Sequence, residues 1–193
     1  LLDGGDGFDT ITYSDSAIGI SINLGTGVAS GGDAQGDTFI GIEQFVGSIG
    51  ADALIAGVAP ANFDGFDGND TLIGSAGADT LVSGGGDDLL VGGAGADTLI
   101  GGIGFDTADY STSAAAVTIR TAGASTGGDA QGDTMSGIER IVGSTQSDVF
   151  EGSAADETFE GGQGNDTFIS SAGADVFDGG QGQDVVDYSA STS

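Results

Sequence analysis

Large apolar side chains recur every nine residues through most of this chain. In residues 92–100 the order is Gly-Gly-Ala-Gly-Ala-Asp-Thr-Leu-Ile, glycine-rich at its start and apolar at its end. Seven such nonapeptides begin at Gly47, Ala56, Gly65, Gly74, Ser83, Gly92 and Gly101. Five more begin at Gly143, Gly152, Gly161, Ser170 and Gly179, and a lone copy begins at Gly4. The last three residues of each copy predict a short strand with one inward side chain. The first six predict a tight turn, which glycine permits because positive φ costs it nothing sterically. Two copies complete a coil, stacking Leu72, Leu90 and Ala108 on one inner face and Phe63, Leu81 and Leu99 on the other. No helical periodicity of useful length competes with this pattern.

A second, longer repeat surrounds the first. Residues 7–48 match residues 104–144 along most of their length. The match is closest between Ser30-Gly-Gly-Asp-Ala-Gln-Gly-Asp-Thr-Phe-Ile-Gly-Ile-Glu43 and Thr126-Gly-Gly-Asp-Ala-Gln-Gly-Asp-Thr-Met-Ser-Gly-Ile-Glu139. A third copy opens at Gly182. Ile18, Ile20, Ile22 and Leu24 alternate with small or polar residues, as do Val117 and Ile119, which predicts half-buried strands. These linkers therefore read as wider coils of the same structure, not as hinges. The expected organisation is one continuous roll over residues 1–193. It divides into a first repeat and linker (4–46), an array of seven (47–109), a second linker (110–142), an array of five (143–187) and the start of a third linker (188–193). Leu1-Leu2-Asp3 reads as the last third of a repeat, from which a longer protein is expected.

Composition then narrows the chemistry. Asp and Glu number 30 against two Arg and no Lys, for a formal net charge of -28. Such a surface repels nucleic acid and anionic membranes, so neither is an expected partner. Cysteine and histidine are absent, which removes disulfides, zinc sites and the usual nucleophilic dyads. No apolar run approaches the roughly 18 residues that span a bilayer. The natural partners are cations.

The pattern G-G-x-G-x-D-x-U-x, with U a large apolar residue, resembles the calcium-binding nonapeptide of the RTX family. Position six is Asp in ten of the twelve array copies, with Ala61 and Glu157 the exceptions. Coil stacking aligns these acids in columns: Asp52, Asp70, Asp88 and Asp106; Asp79 and Asp97; Asp148, Asp166 and Asp184, with Glu157 and Asp175 opposite. Carboxylates stacked at strand spacing repel, and a cation between each pair reverses that repulsion. Calcium fits better than magnesium, since it takes six to eight oxygens in flexible geometry. The columns contain six adjacent Asp pairs, so at least about six ions are expected, with Glu157 a weaker ligand. Asp9 is expected to bind a cation if the chain continues upstream. Asp33, Asp37, Asp129 and Asp133 read either as a second type of turn site or as simple turn caps.

The resemblance implies an all-β, right-handed parallel β-roll with two nonapeptides per coil. It further implies a secreted or cell-surface bacterial protein, exported by type I secretion and folded by extracellular calcium. No catalytic residues are expected. The linker-plus-array unit points to a structural or adhesive protein such as an adhesin stalk, surface layer or filament. The calcium-binding tail of a secreted protease or lipase, or the repeat region of a pore-forming toxin, is the alternative. Apolar residues at position nine of the first array (Ile55, Ile73, Val82, Val91 and Ile100) read either as a lateral self-contact or as β-branched residues that simply suit strands, and end-to-end association is expected as well.

Overall fold

The computed structural model describes residues 1–189; residues 190–193, in the expected third linker, lie outside the described residues. Among the described residues the chain forms short strands, most of three residues, and no α-helix. Most array strands bury the middle side chain and leave the flanking pair half-covered, as a period of two requires. Strands one coil apart pair in parallel. Leu72 lies between Leu54 and Leu90, and Leu81 between Phe63 and Leu99.

Four sheets result. A nine-stranded sheet runs from Ser21–Asn23 to Val176–Asp178 and carries one antiparallel strand, Val28–Ser30, at its edge. A six-stranded sheet, from Thr10–Thr12 to Thr134–Ser136, packs against it over the first array. A four-stranded sheet, from Thr118–Arg120 to Val185–Asp187, takes that place over the second array. A two-stranded sheet pairs Leu2–Asp3 with Phe39–Ile40.

The linkers are where one face of the roll is handed over. In the first, Thr10–Thr12 pairs with Gln44–Val46, so the six-stranded sheet passes straight through. Between those strands the linker ends the two-stranded sheet with Phe39–Ile40 and founds the nine-stranded sheet with Ser21–Asn23. In the second, Thr107–Asp109 pairs with Arg140–Val142 and the nine-stranded sheet passes through. Here Thr134–Ser136 ends the six-stranded sheet and Thr118–Arg120 founds the four-stranded one. The array between the linkers holds an odd number of nonapeptides, so the second handover falls on the opposite face from the first.

The core is a single layer of side chains. Leucines dominate it in the first array, and phenylalanines in the second. Phe150 stacks on Phe168 at 5.1 Å between ring centroids, and Phe159 on Phe177 at 6.0 Å. Larger rings bury more apolar area per coil, which stabilises the shorter array. The position-nine residues Ile55, Ile73, Val82, Val91 and Ile100 are half-buried. Neighbouring coils cover their flanks, so they form a less open strip than the sequence pattern implies. Two of the acids at the same position in the second array answer the only two basic side chains. Arg120 forms a two-pronged pair with Glu151, and Arg140 with Glu160, at 2.7–3.1 Å. Both pairs tie the second linker to the coil that follows it.

Candidate metal centre

The acids at position six stand immediately before each strand, where the turn meets the sheet. One column follows the nine-stranded sheet. In it the Asp52 amide donates to Asp70 Oδ1 at 2.8 Å, the Asp70 amide to Asp88 Oδ1 at 2.7 Å, and the Asp88 amide to Asp106 Oδ1 at 3.0 Å. The Asp148–Asp166–Asp184 column repeats the arrangement, as does Asp79 beneath Asp97. One carboxylate oxygen of each upper residue is thereby spent on the coil below. Backbone pairing along the sheet fixes these spacings, so the stack is set by the fold and not by the acids themselves.

What happens to the second oxygen depends on position two of the turn. Serine occupies it in five turns, at Ser48, Ser75, Ser144, Ser153 and Ser171. In the first four, the serine amide and hydroxyl both donate to the acid at position six; Ser171 donates through its hydroxyl. The same hydroxyl accepts the amide of position four in those first four turns. These serine turns close on themselves. Their position-four residues, which include Gln146 and Ala155, need no positive φ and have none.

Seven other turns take a different shape, and turn 56–61, with Gly57 at position two and Ala61 at position six, belongs to neither set. Gly5, Gly84, Gly93, Gly102, Gly162 and Gly180 at position two have φ between 76° and 116°, and Phe66 adopts 80° at the same place. Position four is then also glycine with positive φ. No side chain reaches the acid from position two. For Asp70, Asp97, Asp106, Asp166 and Asp184 the outer oxygen lies against the first glycine of the repeat; a Cβ on Gly65 would collide with Asp70 Oδ2 and with the Ser83 carbonyl of the next coil.

Among the described residues six buried carboxylate oxygens consequently have no hydrogen-bond partner: Oδ2 of Asp9, Asp70, Asp88, Asp97, Asp106 and Asp166. All six belong to turns of the second shape. Asp70, Asp88, Asp97, Asp106 and Asp166 are at most 3% exposed. Burial pushes the Asp70 carboxyl up to about 8, Asp97 to about 7 and Asp106 to about 6, against the lowering effect of the amide each accepts. Asp148 and Asp166 are raised for the same reason. A buried charged oxygen left unpaired is costly, so each of these six requires a proton or a cation. Among the described residues no three acidic side chains converge. Turn carbonyls would therefore supply most of a cation's oxygens, which suits a hard ion taking six to eight of them.

Comparison with known proteins agrees with this geometry. The family model of the RTX calcium-binding nonapeptide repeat matches four copies, over residues 64–99, 73–108, 133–168 and 151–186, together just over half of the chain. The chain belongs to the RTX calcium-binding repeat family. Its repeats are thus calcium-binding repeats, and its fold is the parallel β-roll. No curated protein matches it.

The RTX columns do not stop at the linkers. The Asp97 amide donates to Asp133 Oδ1 at 2.8 Å, so Asp133 extends the column of Asp79 and Asp97 across a 36-residue coil. Tyr110, 2% exposed, donates its hydroxyl to Asp133 Oδ2 at 2.8 Å and holds the carboxylate in place. Tyr13 does the same for Asp37 at 2.7 Å. Burial and these bonds push both phenols above their ordinary range. Asp33 and Asp129 lie one turn earlier, in the short 3-10 helices Gly32–Ala34 and Gly128–Ala130, with Asp33 exposed and Asp129 half-buried. Of these four, Asp133 alone is placed in a column by the bonds observed.

Two acids absent from the sequence-based set also join the columns. Glu43 accepts the Asp9 amide at 2.9 Å, and Glu139 accepts the Asp106 amide at 2.9 Å. Asp9 therefore stacks beneath a downstream residue of this chain, Glu43. Glu139 also carries the nine-stranded column on towards Glu157 and Asp175, because Thr158 donates to the Glu139 carbonyl. The signal was present in the sequence, since both linkers close on Gly-Ile-Glu.

Proposed function

We propose that this chain is the calcium-triggered folding segment of a secreted bacterial structural or adhesive protein, without catalytic activity of its own. The carrying observation is the set of six buried, unpartnered aspartate oxygens. Low calcium leaves these groups, and a net charge of -28, uncompensated. A single-layer core offers little to offset them. Extracellular calcium, bound only by the folded state, adds its binding free energy directly to stability. Asp70, Asp88, Asp97 and Asp166 would hold ions with the carbonyls of their turns. The serine turns supply coils that need no ion. Repetition of the linker-plus-array unit favours a modular stalk, surface layer or filament over the tail of an exoenzyme or toxin.

Far-ultraviolet circular dichroism tests the reading. A disordered spectrum is expected in chelator at neutral pH, with β-structure appearing on millimolar calcium and poorly on magnesium. A full β spectrum in excess chelator would overturn it.

A further inference from the structure

Both linkers place a truncated corner over a complete glycine turn. Turn 101–106 has the open shape, with φ of 116° at Gly102 and 142° at Gly104. Asp106 is 0% exposed, and its Oδ2 has no partner. In an array, the coil above would offer another six-residue turn. Here it offers Gly137-Ile138-Glu139. The Gly137 carbonyl faces the Cα of Gly101, where an added Cβ would strike both that carbonyl and Asp106 Oδ2. Glu139 takes the stacking place of the next aspartate, and one of its oxygens accepts the Asp106 amide. The other faces no donor among the hydrogen bonds of the described residues.

The first linker repeats the arrangement independently. Gly4-Gly5-Asp6-Gly7-Phe8-Asp9 is an open turn, with φ of 85° at Gly5 and 138° at Gly7. Asp9 Oδ2 is buried and unpartnered, the Gly41 carbonyl faces Gly4, and Glu43 accepts the Asp9 amide. Gly41 and Gly137 share φ near 60°, at 60° and 61°. The wider coil brings only three residues to this corner, so an aspartate would stand one methylene further from the turn below. Glutamate spans that gap.

We propose that these corners are calcium sites of a second kind, one formed by Asp9, Glu43 and the Gly41 carbonyl, the other by Asp106, Glu139 and the Gly137 carbonyl. The linkers are then metal-binding coils in their own right, and each ion joins a linker to the repeat preceding it. Half of the usual turn is missing, so water reaches the ion. Solvent approaches Glu139 through a cleft of about 110 Å³ that it shares with Asp156 and Glu157. These sites should fill at higher calcium than the array sites.

This inference rests on the calcium-binding reading above, and one experiment separates the two. Calcium bound by the full chain is counted by equilibrium dialysis for wild type, Glu43→Gln, Glu139→Gln and the double variant. Glutamine keeps the acceptor for the aspartate amide but loses the charge. The expected result is a single ion lost in each variant and both lost in the double, with the β spectrum retained; Asp15→Asn, at an exposed acid outside the columns, should lose none. Wild-type protein that binds no calcium would overturn the earlier reading. Wild type that binds while Glu43→Gln and Glu139→Gln keep its full count would overturn this inference alone. Should the variants not fold, anomalous scattering from calcium-grown wild-type crystals decides. A peak between Asp106 Oδ2 and Glu139 supports the site, and none there beside an occupied Asp70 turn overturns it.

Discussion

Ser144 donates its amide to Asp148 Oδ2 at 2.7 Å and its hydroxyl to Oδ1 at 2.8 Å, closing that turn without a cation. One coil on, Gly162 leaves the Asp166 Oδ2 with nothing. Position two thus separates turns whose acid is satisfied by a serine from turns whose acid keeps an oxygen without a hydrogen-bond partner.

Ser144→Ala should therefore cost stability without costing an ion. Loss of the hydroxyl's bonds to Asp148 and to the Gln146 amide predicts about 1–3 kcal/mol of destabilisation in saturating calcium. Gly162→Ala should instead weaken calcium binding, because alanine resists the φ of 89° there and its Cβ would meet the Ser144 carbonyl. Denaturant titration beside calcium titration checks both; a lost ion in Ser144→Ala would contradict the division of turns.

Phe66 is the one non-glycine residue with positive φ among those described. Its 41% exposed ring gains little by burial, while the left-handed backbone costs it roughly 1–2 kcal/mol. Phe66→Gly should stabilise the roll by up to about 1 kcal/mol after glycine's own entropy cost. The calcium midpoint should fall accordingly, as followed by circular dichroism.

Asp88 and Asp79 should respond differently to removal. Asp88 carries an unpartnered oxygen and accepts the Asp70 amide, whereas Asp79 is satisfied by Ser75. Asp88→Ala is expected to raise the calcium midpoint severalfold, and Asp79→Ala much less. Equal shifts would mean that serine turns bind as glycine turns do.

Acidity should substitute in part for calcium. The folded-state values of Asp106, Asp97 and Asp70, about 6, 7 and 8, lie above the ordinary 3.8. The metal-free roll therefore holds more protons than the unfolded chain across that window. Its stability is greatest below about pH 4 and is lost as pH rises through the three folded values. In calcium-free buffer, β-structure should grow as pH falls from about 8, and Asp70→Asn with Asp97→Asn should flatten the response. With calcium present the trend reverses, since protons displace the ion.

Much of this is legible in the sequence. The nine-residue period fixes the coil, and the coil fixes which leucines and aspartates stack, because parallel pairing leaves no other register for Leu72 and Leu90. The distinction between turns was less visible. A repeat pattern treats serine and glycine at position two as interchangeable small residues, and only the φ values and the hydroxyl bonds separate them. Glu43 and Glu139 were overlooked for a related reason. They sit outside the nonapeptide register, and only the pairing of Thr10 with Gln44 and of Thr107 with Arg140 brings them above Asp9 and Asp106.

The handover of faces at the linkers has a mechanical meaning. Sheets that all ended at one level would leave a seam across the roll, held by core contacts alone. Here the six-stranded sheet bridges the first break and the nine-stranded sheet bridges the second, like courses of brick laid with staggered joints. Tension along the axis always meets one uninterrupted ladder of backbone hydrogen bonds. A slip of register in either face is arrested at the next joint, where that sheet ends and a new one starts with its alignment set afresh. The odd count of nonapeptides between linkers is what keeps the joints out of line.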